Sequence, residues 1–204
     1  MQPEKIKIQV SELSLCNQDY CVIYSDAYLI DNKTNLLYGW FIQRHKPKLT
    51  ILPSGNILAE LLNSNFIPAM SVLIKTHCVK ELGGYDENIT YEDYDLWLRM
   101  SRKYKFYYSG FVLCSYRLHD NNMHSSPEFK IKQMINSYHI FKKHLDLKVP
   151  NKKIQLIVKK MYESGLYKEY KNEILSFNLK SNILFFLKHD IPYIIYYFFK
   201  KIKK

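Results

Sequence analysis

The sequence predicts an α/β domain followed by a helical extension, and three observations carry that reading. Cys21-Val22-Ile23-Tyr24 and Ala69-Met70-Ser71-Val72-Leu73-Ile74 are short apolar runs of strand length. Between and around them, apolar residues recur at helical spacing. Beyond residue 126 the periodicity is helical only, so the sequence divides at 1–125 and 126–204. A hydrophobic content of 47% in 204 residues is enough for a buried core and excludes a disordered chain.

Taken in order, residues 1–15 read as a helix: Pro3 suits a first turn, Glu4 the N-terminal end, and Ile6, Val10 and Leu13 define an apolar face. The buried strand at Cys21 runs on through Ser25–Asp31, and Asp31-Asn32-Lys33 turns the chain. Residues 35–53 are mixed and basic, with Trp40 and Phe41 as anchors, and predict a loop or weak hairpin. Ile57, Leu58, Leu61 and Leu62 form a short helix, Ala69–Ile74 a central strand, and Thr76 caps a helix over His77–Leu82. Lys105–Arg117 reads as a strand or hairpin bending at Gly110. Amphipathic helices are predicted over Glu128–Leu145, Ile154–Tyr162 and Tyr167–Phe177.

The densest chemistry lies in Gly83-Gly84-Tyr85-Asp86-Glu87 and its continuation Glu92-Asp93-Tyr94-Asp95-Leu96-Trp97-Leu98-Arg99. Paired glycines mark a sharp turn. Glu92 and Asp93 then open a helix, where free backbone N–H groups favour carboxylates. Asp95 and Arg99 have the spacing of an exposed ion pair. Such residues serve as ordinary caps and core. They equally suit a general base, Asp93, beside an indole, Trp97, facing a ring-shaped polar substrate.

This run resembles the acceptor-side motif of family 2 glycosyltransferases with the GT-A fold, in which a "GG[FY]DE" turn leads into "EDYDLWLR". Pro3-Glu4-Lys5, Val22–Asp31 and the passage "NFIP…SVLIK" are also family-like. The resemblance implies a partial GT-A-like domain that begins after the nucleotide-binding strands and the Asp-x-Asp motif. It implies Asp93 as the base that deprotonates the acceptor hydroxyl, Glu92 in support, and Gly84, Tyr85 and Trp97 at the substrate. At "YR-x-H" it implies His119 as a ligand of a divalent cation, Mn²⁺ or Mg²⁺, and Arg117 as a phosphate contact. By the same resemblance the partners are a nucleotide-sugar and a polysaccharide or lipid-linked acceptor, with a separate chain supplying the nucleotide-binding half. The alternative is a non-catalytic remnant, or an acceptor- or membrane-binding module that needs such a partner chain.

A formal net charge of +11 favours an anionic partner without choosing one; nucleic acid ranks last. Residues 183–199 are apolar and aromatic but interrupted, each run being shorter than the ~20 residues a spanning helix needs. With four lysines behind it, the tail fits either an interfacial helix on an anionic membrane or a helix packed on its own core. Without a signal-like start, a cytoplasmic protein peripheral to the inner membrane face is expected. Cys16, Cys21, Cys78 and Cys114 lack zinc-site spacing and read as reduced thiols.

Overall fold

The computed structural model describes residues 2–45, 51–119 and 127–163. It divides into two compact units, Met1–Asn136 and Ser137–Lys204.

The first unit is built on two three-stranded sheets. In one, β1 (Tyr20–Tyr24) lies between β4 (Leu73–Ile74), antiparallel to it, and β5 (Lys105–Tyr108), parallel to it. In the other, β2 (Ala27–Ile30) lies between β3 (Leu36–Trp40), antiparallel, and β6 (Cys114–Arg117), parallel. The first sheet joins the three strand regions that the sequence predicts. The second was not legible, because it arises from continuing the same strand pair. Ser25 and Asp26 link β1 to β2, while residues 109–113 link β5 to β6, and both pairings stay parallel. The segment Lys105–Arg117 is therefore not a hairpin about Gly110. It is two strands, each paired with a neighbour some 80 residues earlier.

Asp26 secures the step between the sheets. Its Oδ1 accepts hydrogen bonds from the backbone N–H of Ala27 (2.7 Å) and of Ile42 (2.8 Å), tying β2 to α2 (Phe41–His45). Burial pushes its carboxyl above the usual range, and these two donors oppose that shift. The basic stretch after Asn35 thus contains a strand and a short helix. Phe41 anchors it as expected, stacked on His45 with centroids 4.2 Å apart, whereas Trp40 is half exposed.

Helix α1 (Lys5–Leu15) forms where predicted but buries a different face. Lys5, Gln9 and Leu13 point inward, and Ile6 and Val10 are about half exposed. Carbonyls explain the rotation. Lys5 Nζ donates to Val72 O (3.2 Å) and Gln9 Nε2 to Ser71 O (2.7 Å), satisfying acceptors that would otherwise be buried without partners. Ser71 belongs to a 3₁₀ turn, Ala69–Ser71, so the expected strand Ala69–Ile74 shrinks to β4. Its hydroxyl also receives the Ser25 N–H (3.3 Å).

Helix α3 (Leu58–Asn63) packs against α5 (Glu92–Ser101), and the Tyr94 hydroxyl donates to Leu61 O at 2.6 Å. Helix α4 (Thr76–Glu81) begins at Thr76, one residue earlier than predicted, so the cap falls at Lys75 and not at Thr76. The core around α5 contains Leu96, Trp97, Leu98, Met100 and Phe106, none more than 1% exposed.

Helix α6 (Pro127–Lys142) runs into the second unit, where α7 (Lys148–Glu163) follows. Within that unit Tyr138, Ile140, Phe141, Ile154, Val158 and Met161 are buried. Pro150 falls inside the first turn of α7, a position whose N–H would have no intrahelical acceptor. No described helix is long and apolar enough to cross a membrane. The predicted helix Tyr167–Phe177 and the apolar tail lie outside the described residues.

Candidate active site

The site begins with backbone geometry. Gly83 and Gly84 both have φ +77°, a left-handed conformation that side chains disfavour, and a Cβ on either would meet no atom within 4 Å. The glycines are therefore required by conformation and not by space. Their N–H groups bond back to Lys80 O and Val79 O, closing the end of α4.

Arg99 holds the turn in place. Its Nη1 donates to Leu82 O (2.8 Å), its Nη2 to Gly84 O (2.7 Å) and its Nε to Asp95 Oδ2 (2.8 Å). Asp95 is fully buried, so the expected exposed ion pair is an internal strut. It aims a planar three-donor fork at two carbonyls that only the bent chain presents.

The turn delivers Tyr85 to the start of α5. Burial raises the Tyr85 hydroxyl above its ordinary range, with Asp93 and Glu92 adding to the shift, which places both carboxylates near the phenol. Asp93 is half buried and Glu92 exposed. Burial pushes the Asp93 carboxyl up, and the Glu92 charge pushes it further. The Tyr94 N–H, 2.6 Å from Asp93 Oδ1, works against both. Asn65 Nδ2 stands 3.5 Å from each Asp93 oxygen and also meets Tyr91. A carboxylate poised above its usual pKa, flanked by an amide and two phenols, can accept a proton from a hydroxyl.

The structure thus gathers Asp93, Glu92 and Tyr85 and adds Asn65 and Tyr91, which sequence reasoning missed. Asn65 sits in the family-like "NFIP" passage, but nothing in its spacing points to Asp93, 28 positions on. Gly84 contributes its carbonyl to Arg99 and its conformation to the turn. Trp97 is 1% exposed, so its ring belongs to the core and offers no platform.

His119 and Arg117 lie elsewhere in the unit. His119, Arg44, Lys33, Asp31 and Asn35 line a cavity of about 590 Å³ whose walls include none of Tyr85, Glu92 or Asp93. Arg117 is committed to the β2–β3 turn: it donates to Asp31 O (2.7 Å), Asn32 O (3.0 Å) and Thr34 Oγ1 (3.3 Å), bracing a threonine at φ 71°. Arg117→Ala is expected to cost about 1–2 kcal/mol, read as a lower urea midpoint with an unchanged m-value.

The described residues around His119 do not fit a divalent cation. Asp31 already accepts from Lys33 N, Asn35 N and Asn35 Nδ2, which also hold its carboxyl below the usual range. Lys33 and Arg44 repel a cation, and a hard ion needs several oxygens. Nor can Asp93 and Asp95 pair as ligands, since Asp95 is buried on Arg99. The cavity's charge suits an anion instead.

Comparison with known proteins decides the family. The profile described as glycosyltransferase-like family 2 matches residues 3–188, most of the chain. The chain belongs to that family. Among relatives of this glycosyltransferase-like chain, an uncharacterized glycosyltransferase of Rickettsia typhi is 35% identical over 123 residues, 58% of this chain and 36% of the relative. One from Rickettsia prowazekii is 33% identical over 120 residues, 57% of this chain and 36% of the relative. One from Rickettsia bellii is 26% identical over 125 residues, 57% of this chain and 16% of the relative. The matched segments thus span about a third or less of these relatives' length. The mixed α/β architecture of the glycosyltransferase-like chain agrees with a GT-A-like domain carrying C-terminal helices.

Proposed function

We propose that this chain supplies the acceptor side of a sugar transfer, from a nucleotide-sugar to a hydroxyl of a polysaccharide or lipid-linked acceptor. One observation carries the reading: Asp93 is a half-buried carboxylate of raised pKa at the start of α5, held by Asn65 and the Tyr94 N–H, with Tyr85 within its electrostatic reach beyond a turn that Arg99 fixes. In the transfer, Asp93 takes the proton of the acceptor hydroxyl as that oxygen bonds to the anomeric carbon. The bond to the nucleoside diphosphate breaks, and its electron pair leaves on the diphosphate oxygen. Tyr85 and Tyr91 offer phenol faces and hydroxyls to a sugar ring, and Asn65 orients the carboxylate. Lys33 and Arg44, in the separate cavity that His119 also lines, offer positive charge to an anionic group of the substrates.

A second reading is an acceptor-binding module that works with a nucleotide-binding portion from another chain. The charge of the His119 cavity, where Lys33 and Arg44 repel a cation and Asp31 is already bonded to Lys33 and Asn35, favours it. Assays with radiolabelled nucleotide-sugars and glycan or lipid-linked acceptors separate the two. Transfer by the chain alone supports the first; acceptor retention without transfer supports the second. Neither retention nor transfer would remove both.

The pH profile gives a sharper check. The base must be ionised, so the acid limb of kcat/KM should lie above the ~3.9 of an unperturbed aspartate. Glu92→Gln removes a neighbouring negative charge that raises Asp93, so the limb should move to lower pH. A limb that stays in place would assign the titration to another group.

A further inference from the structure

Away from the candidate active site, Cys21, His77 and Cys78 come together on one side of β1. Cys21 opens the buried part of β1, and His77 and Cys78 lie in the first turn of α4, which is pinned to β1 by a bond from Lys75 N to Cys21 O at 2.9 Å. The sulfurs, 57 residues apart in sequence, are close enough to be joined as a disulfide. The His77 Nε2 is 3.2 Å from Cys78 Sγ, and one ligand atom from each of the three residues falls within 4.8 Å of the others. The remaining cysteines, Cys16 and Cys114, are not part of the group.

We propose that, with its sulfurs reduced, this trio is a site for a thiophilic divalent cation, Zn²⁺ in particular. The donor set is two thiolates and an imidazole, which suits Zn²⁺ and not Mg²⁺ or Ca²⁺. Two buried thiolates would be costly alone, since Cys21 and Cys78 are 1% and 0% exposed. A doubly charged ion neutralises both as the thiols release two protons. His77 is exposed, so the third ligand sits at the solvent side, leaving an entry path and a fourth position for water. Oxidation of the pair by a low-molecular-weight disulfide, which takes the two electrons and two protons and leaves as two thiols, removes both thiolates and closes the site. A phosphine reverses this: it takes up one oxygen from water and becomes its oxide, and the disulfide gains two electrons and two protons. Either state fastens α4 to β1, and α4 leads directly into the Gly83-Gly84 turn.

The test is Co²⁺ titration of the full chain, fully reduced with a phosphine that is then removed. Thiolate-to-cobalt charge-transfer absorption and tetrahedral ligand-field bands should saturate at one ion per chain and be bleached by Zn²⁺. His77→Ala, at an exposed position, should weaken binding at least about tenfold, and Cys78→Ser should abolish the charge-transfer band. Cys16→Ser and Cys114→Ser should leave it intact, and the oxidised chain should show none. Far-UV circular dichroism controls for folding, and His77→Ala carries the test if Cys78→Ser does not fold. Reduced chain without these bands, or His77→Ala binding Co²⁺ as tightly with an unchanged spectrum, would overturn the proposal.

Discussion

Asp93→Asn is expected to lower the transfer rate by about 10²–10⁴-fold while nucleotide-sugar binding, followed by calorimetry, stays near its original affinity. The substitution keeps the shape and, through Oδ1, the contacts to Tyr94 N–H and Asn65 Nδ2, but loses the second Asn65 contact at Oδ2 and removes the proton acceptor. Loss should therefore fall on kcat and not on donor affinity. A carboxylate serving only as a helix cap would behave differently, because asparagine caps nearly as well as aspartate. Turnover within a few-fold of the original would return Asp93 to that structural role and leave the family's chemistry without a base in this chain.

The second large effect should be on stability. Arg99→Ala removes the counter-ion of a fully buried carboxylate and two bonds to the carbonyls of the turn. Breaking a buried pair from one side costs about 3–5 kcal/mol. Because Arg99 keeps some exposure, about 3 kcal/mol is expected, measured by urea unfolding. Arg99→Lys should recover little, since an ammonium cannot reach three acceptors in one plane. Acceptor KM should rise with it, because Tyr85 loses the anchorage that sets it opposite Asp93. If Arg99→Ala unfolds at the original urea midpoint, the fork is incidental to the turn.

Local signals were legible, and relations between distant residues were not. The double glycine, the acidic helix start and the strands around Val22, Val72 and Phe106 are each announced by a few adjacent residues, although the second is only Leu73–Ile74 in the structure. The family profile agrees with the resemblance that those residues carry. The role of Arg99 was read only as a pairing with Asp95, because its other two partners are carbonyls, which have no sequence signature. Asn65 and Tyr91 were missed for the same reason: their meeting at Asp93 depends on α3 packing against α5. Trp97 was misplaced towards the surface because a tryptophan four residues after a carboxylate looks the same in sequence whether it lines a cleft or fills a core. The cysteines were read as unconnected because Cys21 and Cys78 meet only when α4 docks on β1.

Helix α1 rests on the sheet through two polar hooks, Lys5 to Val72 O and Gln9 to Ser71 O, and through Leu13, while Ile6 and Val10 of the apolar stripe stay about half exposed. Greasy contacts tolerate sliding, but a hook must find its own eyelet. The helix is therefore keyed in both rotation and height, and a shift by one residue would unhook both ends at once. Ile6 and Val10 are consequently free to change in polarity without moving the helix, whereas Gln9 is the position where even a small trimming would let it turn.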